Sequence, residues 1–433
     1  MSDQSTSSAR RAAAAAFVGT TIEWYDFYVY ATAASLVFGK LFFPESSPAV
    51  AAMAAFATYA VGFLVRPLGG VVFGHFGDRV GRKAALVTTL LIMGGATFAV
   101  GILPTYAAAG VLAPVLLVVL RFAQGLAVGG EWGGAVLMAV EHAPERSRTF
   151  YGSFAQLGNP AGALLATGIF GLLAGAGDEV LLGWGWRLPF LLSAVLVIVG
   201  LVVRLKVEES PQFVAVRKRN AVVSLPIGTA LRSGWRTILL GLGALPAATG
   251  GYYVVTTFLL AYSTTDLGVD EQLILYGLSI AAIVELVATV GLAWLGDRFG
   301  DRRVVIVGLV VVAVLAAPQF LVLSSGSAGL IISMLALMRL AMSAIYGPMA
   351  AILSGMFAPE ARYTSISLSY SLAAAIFGGF APLACTALVA AFGGVTPVIV
   401  LLVAMCLISI VCLRFAPRYE PDRDQPVPEV SRA

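Results

Sequence analysis

The sequence predicts an all-α membrane protein, with twelve spanning helices in two pseudo-symmetric halves of six and both termini on the cytoplasmic side. Three observations predict it. Of 433 residues, 59% are hydrophobic and 12% charged, well short of the roughly 25% charge typical of a water-facing domain. Apolar runs of about 20 residues, the length that crosses a hydrocarbon core of about 30 Å, recur with short loops between them. A short motif also repeats once, half a chain apart.

The runs cover residues 12–38, 49–73, 84–103, 111–140, 150–175, 188–203, 238–262, 273–294, 304–323, 328–357, 365–392 and 398–413. Arg10 and Arg11 before a row of alanines resemble a twin-arginine export signal. Glu23 and Asp26 interrupt the apolar stretch that a cleavable signal needs, so this is the first span. The second span ends in Gly77-Asp78-Arg79-Val80-Gly81, and the eighth in Gly296-Asp297-Arg298-Phe299-Gly300, displaced by 219 residues. Ala143-Pro144-Glu145 and Ala358-Pro359-Glu360 echo each other in the same way. The repeat divides the chain into a first bundle (1–205), a linker (206–236) containing Arg217-Lys218-Arg219, a second bundle (237–415) and a tail (416–433). Six spans per half give both halves one orientation, the parallel relation seen in some transporters.

The net charge of +4 reports topology rather than nucleic-acid binding, because Lys and Arg concentrate in cytoplasmic loops. Of 27 such residues, 22 fall in the termini or even-numbered loops, only Lys40 and Arg187 in odd-numbered ones, and Arg66, Arg121 and Arg339 inside spans. The linker charges read as solvated or facing anionic headgroups. Cys385, Cys406 and Cys412 lie in spans and His75 and His142 at helix ends, so neither a disulfide framework nor a metal-ligand set is spaced here. No phosphate-binding loop motif occurs, which argues against an ATP-driven pump. No nucleophile, base or metal set converges as an enzyme requires. A channel would need a filter loop or charge rings from several subunits, whereas one chain already supplies a duplicated bundle. A carrier without cofactor or metal, a monomer in a lipid bilayer, is the expectation.

An ionised side chain at the bilayer centre costs about 2.5–3.5 kcal/mol, so charges inside spans mark the chemistry. Glu23 and Asp26 lie in span one, Arg66 in two, Arg121 and Glu131 in four, Glu285 in eight and Arg339 in ten; spans three, six, nine and twelve carry none. Glu23, Asp26 and Tyr30 share one helical face. Burial and mutual repulsion disfavour the charged forms of the two carboxyls, the property a proton carrier needs. Asp26, Glu23 and Glu131 are therefore the candidate proton-coupling groups. Arg121, Arg66 and Arg339 offer forked donors suited to a carboxylate, and Tyr30, Gln124, Gln156, Asn159, Tyr253 and Thr257 are polar groups able to orient a ligand. The competing reading is that arginines and carboxylates neutralise one another and only tie helices together. Gly125, Gly129 and Gly133 allow close helix approach, and Gly158-Asn159-Pro160 marks a bend in span five.

Gly74-His75-Phe76-Gly77-Asp78-Arg79-Val80-Gly81-Arg82-Lys83 matches in full the loop pattern G-x-x-x-D-R-x-G-R-K of the major facilitator superfamily, which the chain resembles. Glu23-Trp24-Tyr25-Asp26-Phe27, Phe63-Leu64-Val65-Arg66-Pro67-Leu68-Gly69-Gly70, Arg121-Phe122-Ala123-Gln124-Gly125, Gly129-Gly130-Glu131-Trp132-Gly133 and Trp184-Gly185-Trp186-Arg187-Leu188-Pro189-Phe190 resemble its metabolite:proton symporter branch. That branch includes permeases for shikimate, 2-oxoglutarate, citrate and proline or glycine betaine. The resemblance runs over residues 10–414 and is densest in the first half, which is nearest to the shikimate-type permeases. It implies the major facilitator fold in a bacterial inner membrane, with spans one, four, seven and ten around a central cavity. It further implies alternating access and import of a small organic anion with a proton, the anion being shikimate-like, a keto acid or a dicarboxylate. Uptake of a zwitterionic osmolyte such as proline or glycine betaine is the alternative. Gly74, Asp78, Arg79, Gly81, Arg82 and Lys83, with Asp297 and Arg298 of the second copy, form the expected gating loops. Asp78 is suited to accept from a neighbouring helix's first amides, and the loop cations to bond nearby carboxylates or simply to anchor topology. Two departures stand out: Gly300-Asp301-Arg302 replaces the Gly81-Arg82-Lys83 of the first copy, and the Pro-rich tail lacks the coiled coil of the osmosensing members.

Overall fold

A computed structural model describes residues 2–219 and 226–419; within these, every regular element is helical. The main helices are α1 (Ser2–Ala33), α2 (Pro48–Arg79), α3 (Arg82–Ile102), α4 (Leu112–His142), α5 (Gly158–Gly175), α6 (Arg187–Leu205), α7 (Pro226–Gly243), α8 (Glu271–Phe299), α9 (Asp301–Leu323), α10 (Ala328–Ser354), α11 (Arg362–Ala373) and α12 (Thr396–Phe415). Among the described residues, eleven helical segments are long and apolar enough to cross a membrane. The exception is α1. It runs 32 residues, but Thr20, Thr21, Glu23 and Asp26 dilute its apolar character, because most of this helix faces protein rather than lipid.

Three segments are less regular than their apolar runs suggest. The fifth carries a 3-10 turn at Ser153–Ala155 before α5. The break precedes Pro160, which then sits in the first turn of α5, where a missing amide leaves no bond unmade. The seventh continues from α7 through π-helical turns at Ala247–Gly251, Val254–Phe258 and Tyr262–Asp266, and the eleventh passes through another at Ala374–Gly378 into a helix over Ala381–Phe392. Within the polar linker the Ser210 side chain accepts from the Phe213 amide at 3.2 Å and caps a helix over Pro211–Lys218. Linker residues 220–225 and tail residues 420–433 lie outside the described residues.

Small residues set the closest helix approaches. A side chain at Gly125 would overlap the Gly62 carbonyl of α2, and one at Gly129 the Arg66 carbonyl, so the glycine repeat of α4 serves packing. The first half meets the second where α11 lies on α2 and α4, and where residues 148–152 lie on α8 and α10. α6, α9 and α12 expose apolar rows, Val195 with Ile198 and Val202, Val307 with Val310 and Val314, and Val400 with Leu407 and Val411. Those are surfaces for lipid. Cys385 and Cys406 are buried and Cys412 half-buried, all unpaired.

One sequence expectation is corrected. Arg204, counted among the loop cations, is the last-turn residue of α6 and is 4% exposed. The sixth segment therefore contributes a buried charge, and its guanidinium turns inward because a carboxylate waits there.

Candidate functional site

The loops that join α2 to α3 and α8 to α9 lie on one face of the molecule, and both turn on glycine: Gly81 has φ +138° and Gly300 φ +99°, where a side chain is strained. Asp78 accepts from the amides of Tyr363 (3.2 Å) and Thr364 (2.9 Å) and the Thr364 hydroxyl (2.8 Å). It thereby caps α11 of the opposite half, where a helix N-terminus favours negative charge. The repeat reproduces this contact in reverse: Asp297 accepts from the amides of Thr149 (2.9 Å) and Phe150 (2.8 Å), at the head of the fifth segment. Gly74 approaches α11 so closely that a Cβ there would lie 2.6 Å from the Thr364 Cα.

Arg82 is buried beside these contacts. It pairs with Asp78 (3.2 Å) and Glu141 (3.7 Å), donates to the carbonyls of Gly77 (3.2 Å) and Pro359 (3.1 Å), and lies over Phe213 at 4.9 Å. Glu141 also pairs with Arg362 at 3.2 Å, and Arg362 bonds Gln212 of the linker helix. Glu209 accepts from the amides of Arg82 (3.0 Å) and Lys83 (3.2 Å), capping α3, while Lys83 Nζ donates to the Leu205 carbonyl at 2.8 Å. Arg79 and Arg298 are exposed, Arg298 lying over Trp294 and Phe299 at 5.7 Å. On this face the halves are joined by buried ionic contacts in both directions.

Deeper in, a small cavity opens between the halves, lined by Trp24, Phe63, Arg66 and Asn159 of the first and Thr249, Tyr252, Tyr253, Tyr346 and Tyr370 of the second. On the loop side Trp132 stacks on Tyr370 at 3.8 Å, and its indole donates to Gln156 (2.9 Å), which donates in turn to the Tyr346 carbonyl (2.9 Å). The Tyr346 and Tyr370 hydroxyls are 3.3 Å apart. Phe63 meets Tyr253 edge to face at 6.3 Å.

Two guanidiniums stand on the first half's side. Arg66, 3% exposed, lies over Phe27 (4.7 Å) and Phe63 (4.6 Å) and makes no hydrogen bond or ion pair among the described residues. Arg121 lies over Phe27 (5.0 Å), Tyr30 (4.4 Å) and Tyr59 (4.8 Å); only its Nη1 is bonded, to Gln124 at 3.2 Å, and Gln124 donates to Thr97 at 2.7 Å. Tyr30 donates to Thr58 at 2.7 Å. Asp26 is in electrostatic reach of Arg121, and Glu23 of Arg66 and Arg204. Each carboxyl is 2% exposed; both Asp26 oxygens and Glu23 Oε2 lack a hydrogen-bond partner. Neither acid forms a salt bridge, in contrast to Glu131, which is tied to Arg204 and accepts from Thr89 at 2.5 Å.

The second half holds one comparable pair. Arg339 meets Glu285 at 2.5 Å, donates to the Tyr252 hydroxyl at 2.8 Å and lies over that ring at 4.2 Å. Tyr252 (3.0 Å) and Tyr28 (3.1 Å) both donate to Asn159 Oδ1, so a polar chain crosses from one half to the other at the cavity.

Of the residues singled out from the sequence, Arg66, Asn159 and Tyr253 line the cavity. Asp26, Glu23, Arg121, Tyr30 and Gln124 form a cluster behind it inside the first half, Gln156 braces its loop side, Arg339 is engaged by Glu285, and Thr257 is exposed away from it. Thr257 lies within the π-helical turn Val254–Phe258 of the seventh segment. Sequence reading overlooked Tyr28, Tyr346 and Arg204. The aromatic run Trp24 to Tyr30 held a signal for Tyr28, whereas nothing in the sequence separates a buried Arg204 from one that reaches the headgroups.

Two helical halves joined back to back, with ionisable groups set round a cavity between them, define a membrane carrier. The chain belongs to the major facilitator superfamily. Residues 12–223 match the family described as "Sugar (and other) transporter" and residues 240–432 the Major Facilitator Superfamily itself. It is 45% identical to the inner membrane metabolite transport protein YhjE of Escherichia coli K12 over 375 residues (85% of each chain). It is 43% identical to the shikimate transporter of the same organism over 413 residues (94% of each). It is 36% identical to the proline/betaine transporter of Salmonella typhimurium LT2 over 387 residues (85% of this chain, 76% of that one). Among solved structures, the proton:xylose symporter XylE bound to 6-bromo-6-deoxy-D-glucose superposes with a TM-score of 0.76 at 18% identity, over 95% of this chain and 97% of that one. The protein is a multi-pass membrane transporter, not an enzyme.

Proposed function

We propose that this transporter imports a small organic acid with a proton by alternating access across a bacterial inner membrane, working as a monomer. The observation that carries the reading is the pairing pattern. Two buried carboxyls, Asp26 and Glu23, and two buried guanidiniums, Arg66 and Arg121, form no salt bridge with one another, although a buried unpaired charge is costly. Groups kept in that condition are available to a proton and to an anion. Glu131 is already engaged by Arg204, which leaves Asp26 and Glu23 as the proposed proton carriers.

In this proposal α1 is the first of twelve spans, the termini and the loop face are cytoplasmic as the distribution of Lys and Arg requires, and bundles 1–205 and 237–415 rock about the cavity with 206–236 linking them and 416–433 as a tail. On the same proposal the contacts of the loop face close the cytoplasmic side, and breaking the Asp78 and Asp297 caps and the Glu141–Arg362 pair accompanies opening to the cytoplasm. A proton on Asp26 lets Arg121 and Arg66 act as net positive charge, an incoming carboxylate balances that charge, and the neutral assembly changes conformation most readily. Relatives named for shikimate, metabolite and proline/betaine transport support this. Uptake of a zwitterion is the second reading, favoured by the aromatic faces of Trp24 and Tyr253 on the cavity, to which a quaternary ammonium binds well.

The test is accumulation in proteoliposomes driven by an imposed proton gradient, with shikimate, 2-oxoglutarate and glycine betaine as solutes. The proposal expects uphill uptake of an acid that a protonophore abolishes. Downhill, gradient-independent movement of every solute would sink it.

A further inference from the structure

The cavity contains more information about its ligand than the presence of a cation. Among the described residues lining it, Arg66 is the one cationic side chain. Arg339, in the second half, is held by Glu285 and Tyr252. Arg121 sits behind Phe27 with its remaining nitrogens buried. Arg66 differs from both: it lines the cavity, has no hydrogen-bonding partner among the described residues, and lies over the rings of Phe27 and Phe63 with Glu23 in electrostatic reach. Stacking fixes a guanidinium plane without using its N–H donors, so the fork stays free for a planar acceptor. The rest of the wall offers the Asn159 amide, phenol hydroxyls of Tyr252, Tyr346 and Tyr370, and the faces of Trp24 and Tyr253.

We infer that Arg66 is the carboxylate subsite and that the substrate class is a monocarboxylate with a flat or hydroxylated body. This rests on the transport reading above and narrows it. One guanidinium balances one carboxylate. A second carboxylate would meet ring faces and phenol hydroxyls without a partner charge, and desolvating an unpaired charge is expensive. A quaternary ammonium placed against Phe63 would meet the like charge of Arg66 4.6 Å from that ring. The hydroxyls and the amide suit alcohol groups on the body, and the rings suit its apolar faces.

The experiment is ligand-dependent melting of the purified full-length protein in detergent, with three monocarboxylates (shikimate, quinate and benzoate), the dicarboxylate 2-oxoglutarate, and glycine betaine as probes. At least one monocarboxylate should stabilise the wild type, 2-oxoglutarate and glycine betaine should not, and Arg66→Gln should weaken that binding by roughly 10- to 150-fold, the loss of a set of charge-assisted bonds. Arg66→Lys, which keeps the charge without the fork, should fall between. An unliganded melting temperature matching wild type certifies that Arg66→Gln is folded; should it be unfolded, Arg66→Lys alone is read, and wild-type affinity there overturns the assignment. The inference is also overturned if the dicarboxylate or betaine stabilises best, if no monocarboxylate binds, or if Arg121→Gln abolishes binding while Arg66→Gln leaves it intact. Proton-driven uptake of the same probes separates the two levels. Uphill transport of the dicarboxylate or betaine refutes this inference and leaves the carrier standing, whereas no gradient-driven transport of any probe refutes the carrier itself.

Discussion

Replacing Arg204 with methionine isolates a buried electrostatic contact within the first half. Its guanidinium binds both oxygens of Glu131 and the Leu86 carbonyl, and the two side chains are 4% and 1% exposed. A side chain at Gly19 would overlap this guanidinium, so four helices, α1, α3, α4 and α6, meet at one charge. Removing one partner of a buried pair costs about 3–5 kcal/mol, because the other charge is left uncompensated. For a cooperative unit of 150–250 residues each kcal/mol lowers the melting temperature by about 2–4 °C, which gives a fall of about 6–20 °C on the same scale. Replacing both partners with apolar residues of similar size is often neutral, so Arg204→Met with Glu131→Met should recover most of that loss. The assay is thermal unfolding in detergent followed by tryptophan fluorescence, since Trp132 adjoins Glu131 on α4. A fall below about 3 °C for the single variant, or a double variant no more stable than the single, refutes the pairing argument.

Three further outcomes follow from the contacts. Gly77→Ala would push a methyl group into the Tyr363 ring, so the contacts of the loop face should fail to close; cysteine labelling at the cavity from the loop-face side should rise and uptake should fall. Asp78→Asn keeps one acceptor but loses the charge that faces the α11 N-terminus and Arg82, weakening the closed state by about 1–3 kcal/mol, and the same labelling should increase about 5- to 150-fold if the open state is rare. Tyr252→Phe deletes the bonds to Asn159 and Arg339; leaving their buried polar atoms short of a partner costs about 1–3 kcal/mol, read as lowered thermal stability with the fold retained.

How far the sequence could be read depended on whether a property was periodic or positional. The recurrence of long apolar helices was legible because lipid imposes a length and an apolar composition on each crossing, and the paired loops were legible because Gly77-Asp78-Arg79 recurs as Gly296-Asp297-Arg298. The capping role of Asp78 was legible too, since an acid after a long apolar helix has few other uses in a tight turn. Partner choice was not. Glu131, Glu23 and Asp26 look alike in sequence, and only packing shows that Arg204 takes the first and leaves the others. Arg66 and Arg121 are both arginines in spans, and only packing shows that the former lines the cavity while the latter does not. Nothing in the sequence marks the π-helical turns of the seventh segment, on which Thr257 is exposed.

The central claim is that Asp26 takes up the proton that accompanies the solute. It is tested most directly by recording external pH when a transported acid is added to right-side-out vesicles. Wild-type vesicles should alkalinise the medium on addition, and Asp26→Asn vesicles should show no pH change while still exchanging labelled for unlabelled solute. Alkalinisation of undiminished size in the Asp26→Asn vesicles would contradict the account.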